Sequence, residues 1–288
     1  MLGGLPVGFR SGPVSRADAA AAPSDRDYRR HMSWRRFEIP PDAPSPASMV
    51  RPLLHTIWLN GRLGGVERFP QSVMARLRGV AAGHTHFVHT DDECARAVGR
   101  EGDVVAASYG ALRRPAKRAN LCRLALLRQL GGVYLDVDTV PLVPLRTVFT
   151  RRNVLTTVLS FYKAAHLNLG VMAAPRDNPF LRNLMQAVVA EAGTRQTDGD
   201  FLNASYDFHR RMRADVGKSL APGLNRNARR PGYDYYLLRE ECSANGTACG
   251  GRLDQKVGLC CVIYDGARPV FLQRDPDFPF SWPWGGSS

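Results

Sequence analysis

The segment Gly131-Gly132-Val133-Tyr134-Leu135-Asp136-Val137-Asp138 constrains the fold of this 288-residue chain more than any other. A leucine-rich stretch, Ala116 to Leu130, precedes it, with Leu121, Leu124, Ala125, Leu127 and Leu130 on one broad face. That spacing predicts a helix. The two glycines end it, because glycine tolerates the left-handed backbone a helix stop needs. Val133-Tyr134-Leu135 then reads as a short buried strand running straight into two acids. A helix, a tight glycine turn and a buried strand in sequence are the grammar of layered α/β proteins.

The flanking sequence repeats the pattern. Leu53 to Leu59 is an apolar strand closed by Asn60-Gly61, Phe69 to Arg78 has helical spacing, and His84 to His89 alternates as a second strand. Thr90-Asp91-Asp92-Glu93 is a helix start with acids in its first turn. Val104-Val105 is a candidate third strand. Val154–Phe161 and Leu169–Ala173 read as strands, and Pro179–Ala192 and Phe201–Arg213 as helices. Strand and helix alternate, so the expectation is a single α/β domain over residues 49–288, with a mostly parallel central sheet and helices on both faces. Residues 1–48, rich in Ala, Pro, Ser and Arg and without periodicity, read as a flexible arm.

In an open α/β sheet ligands bind at the carboxyl ends of strands. Asp136 and Asp138 sit at such an end, and two residues apart on a strand their side chains point the same way. Adjacent carboxylates repel, and a hard divalent cation relieves that repulsion. Oxygen ligands suit Mg²⁺ or Mn²⁺. Such an ion keeps open positions for diphosphate oxygens and offsets charge on a departing diphosphate. Bare Asp-x-Asp is also a common surface turn; what raises this pair is the apolar strand before it, where acids are costly unless used.

The formal charge is +13. It favours phosphorylated ligands, but Arg113, Arg114, Lys117 and Arg118 form only a short cluster, so no dedicated nucleic-acid role is expected. Six cysteines are too few for a disulfide scaffold. Cys94 and Cys122 fall in expected helices and read as buried thiols. Cys242, Cys249, Cys260 and Cys261 crowd one region; disulfides rank first there, free thiols second and zinc last, because the spacings lack paired short intervals. Asn245-Gly246-Thr247 suits an exposed glycosylation loop, whereas Asn203-Ala204-Ser205 falls in an expected helix. No apolar run is long enough to span a membrane, and Met1 to Ala22 lacks the shape of a signal peptide. The expected location is cytoplasmic, or the secretory lumen without a visible anchor.

Three blocks in order carry a resemblance: His55-Thr56-Ile57-Trp58 with Gly61 after it, Lys117 to Arg123 on the helix, and Gly131 to Asp138. Together they resemble the DXD-containing sugar-transferase family, which includes yeast-type initiating mannosyltransferases and is related to the large clostridial glucosylating toxins. The resemblance covers roughly residues 52–145. It implies a GT-A-type fold, Mn²⁺ or Mg²⁺, a UDP- or GDP-sugar donor, a glycan, lipid or protein acceptor, and transfer of a hexose with retention. It also implies roles. Trp58, with Ile57, would meet the donor base; Asp136 the ribose or sugar; Asp138 the metal; and Arg123 the sugar or diphosphate. Asn120 stands where relatives carry Asp, which affects donor choice or turnover. Farther on, Asn168 resembles a residue lining the sugar site, and Ser281-Trp282 resembles a closing element near the donor phosphates. Asp275 and Asp277 stand near the place of a family His as candidate metal ligands. Trp58 is also readable, less readily, as a core aromatic, and Trp282 and Trp284 equally well as packing aromatics.

Two other readings remain open: a nucleotidyltransferase, which also needs paired acids and metal, and a degenerate transferase that only binds sugar nucleotide or a partner. A glycoside hydrolase fits less well, since its carboxylates must flank the scissile bond.

Overall fold

The computed structural model describes residues 50–59, 69–112, 115–149, 154–160, 166–194, 202–244 and 260–273. The expected arm, the Asn245 acceptor and the tail with Asp275, Asp277, Ser281 and Trp282 lie outside them.

The strands are β1 (Leu53–Ile57), β2 (Thr85–His89), β3 (Gly132–Leu135), β4 (Val140–Pro141), β5 (Leu155–Leu159), β6 (Leu167–Ala174), β7 (Gly223–Asn225), β8 (Tyr235–Ser243), β9 (Cys260–Asp265) and β10 (Arg268–Leu272). The helices are α1 (Gln71–Val80), α2 (Asp91–Gly99), α3 (Asp103–Ala111), α4 (Pro115–Leu130), α5 (Leu145–Val148), α6 (Pro179–Thr194) and α7 (Leu202–Val216). One mixed sheet runs in the order β2-β1-β3-β6-β5-β8-β9-β10-β4, with β7 paired to β8.

The expected mostly parallel sheet is not what forms. Only β1–β2, β1–β3 and β5–β8 pair in parallel. The other pairings among the described residues are antiparallel. The reason lies in the connections. A parallel crossover needs about a dozen residues or more, and residues 160–166 are too few to make one, so β6 turns back along β5 and meets β3 head to tail. Asp265-Gly266 likewise turns β9 directly into β10, with Gly266 at φ 62°.

Val104-Val105 is the other correction. These residues lie in α3, where Val105 and Tyr109 are buried one turn apart while Val104 is 71% exposed. A two-residue apolar run carries no period, and Ala106-Ala107 continue it as helix. Elsewhere the periodicity holds. In α4 all of Leu121, Leu124, Ala125, Leu127 and Leu130 are buried. Thr90 opens α2 with a capping box to Glu93.

The thiols expected at Cys94 and Cys122 are instead a disulfide, with 5.2 Å between Cα atoms and both residues wholly buried. It ties α2 to α4. A buried pair facing across two packed helices is invisible to spacing alone. Cys242 and Cys261, opposite each other on β8 and β9, form a second, and Cys260 is also disulfide-bonded.

Candidate active site

The parallel strands β1 and β3 lie side by side, Leu54 opposite Val133 and His55 opposite Tyr134. Their carboxyl ends open onto a cleft of about 210 Å³. Ile57 and Leu59 line it from β1, Ala119 and Arg123 from α4, and Tyr134, Asp136 and Asp138 from β3 and the turn after it. The strand ends at Leu135. Asp136 to Thr139 is a turn closed by the Thr139 N–H donating to the Asp136 carbonyl at 3.0 Å. The two acids therefore share the cleft through a turn, not through the strand alternation expected for them.

The turn is anchored by what surrounds Asp136. Arg123, with 7% of its side chain exposed, reaches the Asp136 carboxylate at 3.2 Å. The Tyr134 hydroxyl donates to Asp136 Oδ1 at 2.6 Å. Tyr134 stands near the end of β3 and Asp136 just beyond it, so the hydroxyl meets the carboxylate where the strand gives way to the turn. The Arg123 guanidinium lies 4.5 Å from the centre of the Tyr134 ring and also donates to the Leu169 carbonyl. Burial pushes the Tyr134 hydroxyl well above its ordinary pKa, and Asp136 adds to this against the opposing pull of Arg123. Tyr134 therefore remains a proton donor to Asp136 at any physiological pH.

Gly170 on β6 closes the other side. Its carbonyl accepts the Asp136 N–H at 2.8 Å. A Cβ at this position would stand 2.8 Å from Asp136 Oδ2, closer than real Cβ contacts come. Beyond it, Asn168 Oδ1 accepts the Gly170 N–H at 2.9 Å, and Asn168 Nδ2 donates at 2.9 Å to Glu240, which is 2% exposed. The Ser160 hydroxyl donates to the same Glu240 at 2.8 Å. The arrangement is a rigid carboxylate, Asp136, beside a guanidinium and a second carboxylate at the mouth of a cleft. It suits polyhydroxylated, diphosphate-bearing ligands.

The sequence from residue 87 to 155 matches the family described as glycosyltransferase sugar-binding region containing DXD motif. The match spans α4, β3 and the Asp136-Val137-Asp138 turn. Over that segment the chain is similar to DXD-type glycosyltransferases. Among solved structures it is similar to one titled PaToxG Glycosyltransferase, at 11% identity over 59% of this chain and 71% of that one, with a TM-score of 0.44. No curated protein matches the chain.

The cleft brings together Ile57, Arg123, Asp136 and Asp138. Asn168 joins them at one remove, through Gly170. Asn120 lies one turn before Arg123 on α4 and is half-buried; it is not among the residues lining the cleft. Trp58 is 2% exposed and packs edge-on against Phe69, ring centres 5.6 Å apart. Its ring lies in the core beside the cleft.

Three parts of this site are hard to read in the sequence. Tyr134 stands inside the motif, and its closeness to Asp136 is the signal. Glu240 is an acid on an inward-facing position of β8, between the exposed Arg239 and Glu241, and a buried acid needs partners. His55 opens the His55-Thr56-Ile57-Trp58 block, and nothing in its spacing shows a role. Wholly buried, it donates from Nε2 to the Gly131 carbonyl at 3.0 Å, so its bare Nδ1 accepts from His89 Nε2 at 3.0 Å. It pins the glycine turn of α4 and β3 to β1.

Proposed function

We propose that the cleft binds a nucleoside-diphosphate hexose, UDP- or GDP-linked, together with Mn²⁺ or Mg²⁺, and transfers the sugar to a glycan, lipid or protein acceptor with retention. The observation that carries this is the Asp136-Val137-Asp138 turn, held at the cleft by Arg123 and Tyr134. The donor set fits a hard cation. Asp138 brings carboxylate oxygens to the cleft, and Mg²⁺-like ions commonly use one or two carboxylates and complete their shell with phosphate oxygens and water. Asp277, beyond the described residues, is a further candidate ligand. When bound, the ion would offset charge on the leaving diphosphate.

The chain's own groups divide the remaining work. Asp136, with Oδ1 already accepting from Tyr134 and Arg123, offers Oδ2 to a sugar or ribose hydroxyl. Arg123 holds Asp136 in place and presents its guanidinium to donor oxygens. Glu240 orients Asn168, and Asn168 and Asn120 set the sugar-side contacts. Trp58 with Ile57 supports the base side, and Ser281-Trp282 closes over the phosphates. The Cys94–Cys122 and Cys242–Cys261 disulfides support a working place in an oxidising compartment.

Asn120 favours a second reading, a transferase that binds donor without turning it over, because an amide supplies no negative charge near the reacting carbon. Thermal shift separates the cases. Donor binding to the native state raises the melting point, so Mn²⁺ with UDP or GDP raises it under both readings, and only the enzyme releases free sugar from a sugar nucleotide. No shift with either nucleotide rejects both.

A further inference from the structure

Between Val216 and Asp234 the chain contains no acid, yet it holds Lys218, Arg226, Arg229 and Arg230. The loop is firmly built. Asp234, 7% exposed, pairs with Arg226 at 2.6 Å and accepts the Asn227 N–H at 2.9 Å. Asn227 Oδ1 accepts the N–H groups of Arg229 and Arg230 at 3.0 and 2.8 Å. Backbone N–H groups of Ala228 and Arg229 donate to the Asp215 carbonyl, which fixes the loop against the end of α7.

This ordered loop carries two large apolar side chains in solvent. Leu224, on the short strand leading in, is 51% exposed, and Tyr233, at its end, is 48% exposed. Single exposed apolar residues are ordinary. A leucine and a tyrosine flanking a fixed cluster of four cations, of which Arg226 pairs with Asp234 and Arg229 lies 4.0 Å from Asp215, is a more specific combination. Cations attract an anionic surface, tyrosine sits at headgroup level, and leucine enters the acyl boundary. A nucleic acid would use the cations but offers nothing to an isobutyl group. We propose that residues 216–234 form a docking surface for anionic lipid, bringing the glycosyltransferase onto a membrane peripherally. None of these residues lines the cleft, so docking and donor binding are separable.

The test is co-sedimentation of the full chain with vesicles of phosphatidylcholine alone, or containing about a third phosphatidylserine, an anionic surface of the kind that attracts basic segments. Binding is expected only to the anionic vesicles. Each cation contributes roughly fivefold, so Arg229→Ser/Arg230→Ser should weaken it by about twentyfold. Leu224→Ser/Tyr233→Ser should weaken it by at least about tenfold. Both variants should keep the wild-type melting point and its shift with Mn²⁺ and nucleotide, since the altered side chains are exposed. Absence of binding to anionic vesicles overturns the proposal. So does binding that survives Leu224→Ser/Tyr233→Ser and is displaced by an RNA oligomer, which would mark a nucleic-acid site instead.

Discussion

Asp136 shows how much of the site is set by single contacts. Its Oδ1 atom accepts from the Tyr134 hydroxyl and meets Arg123, while Oδ2 rests against Gly170. Tyr134→Phe removes one donor and leaves packing intact. It should cost about 1 kcal/mol in stability and raise KM for the donor severalfold, with a smaller effect on kcat. A melting curve and a donor titration would show this; an unchanged KM would mean that Tyr134 does not orient Asp136. Gly170→Ala is a sharper case. The new Cβ must displace the Asp136 carboxylate, so donor binding should fall by tenfold or more, on the order of 1.4 kcal/mol, while the fold survives; binding at wild-type strength would contradict the crowding. Asp136 and Asp138 were legible in the sequence as acids at the end of a buried strand, and Arg123 only through the resemblance of its block to the family. Glu240 was not, because its role depends on β8 lying across β5 from Asn168, a pairing between residues 72 apart.

At the scale of elements, the junction of α4 and β3 governs the cleft. Gly131 and Gly132 adopt φ of 66° and 102°, and a Cβ at Gly132 would lie 2.7 Å from the Leu53 carbonyl oxygen. Gly132→Ala should destabilise the fold by about 1–3 kcal/mol, read as a lower urea midpoint; a neutral result would mean the turn relaxes freely. The Cys94–Cys122 bridge fastens the same helix from behind. Closing a loop of this size is worth about 3.5 kcal/mol in the chain-entropy view, so Cys94→Ala/Cys122→Ala should lose roughly 2–4 kcal/mol, and native protein should show neither thiol to a thiol reagent. A helix such as α4 could be read from its 3.6-residue period. The direction of β6 could not be read that way, since periodicity is blind to strand polarity; only the shortness of residues 160–166 bears on it. The two valines of α3 were too short a run to show any period.

For the molecule as a whole, the histidines under β1 and β2 link stability to pH. Burial lowers His55 to about 4 from an ordinary 6.5, outweighing its bond to the Gly131 carbonyl, and His86 likewise falls to about 4. Burial also takes His89 well below 6.5, helped by His55 and His86. The unfolded chain then binds protons more readily than the native one, so their contribution is complete above pH 6.5 and is lost as pH falls from 6.5 towards 4. Urea midpoints across that window should decline, and the decline should be shallower in His86→Gln, which keeps a polar group near Thr56 without titrating. Equal slopes in the two proteins would show that these histidines do not carry the effect.

The central claim is that the turn at Asp136-Val137-Asp138 binds a cation and a sugar nucleotide and acts on it. A panel of UDP- and GDP-hexoses incubated with the protein and Mn²⁺, followed by release of nucleoside diphosphate, tests it most directly. Turnover of at least one donor is expected, falling by about a hundredfold or more without the metal or in Asp138→Ala. Release that is equally fast in Asp138→Ala, or no release from any donor, would contradict it.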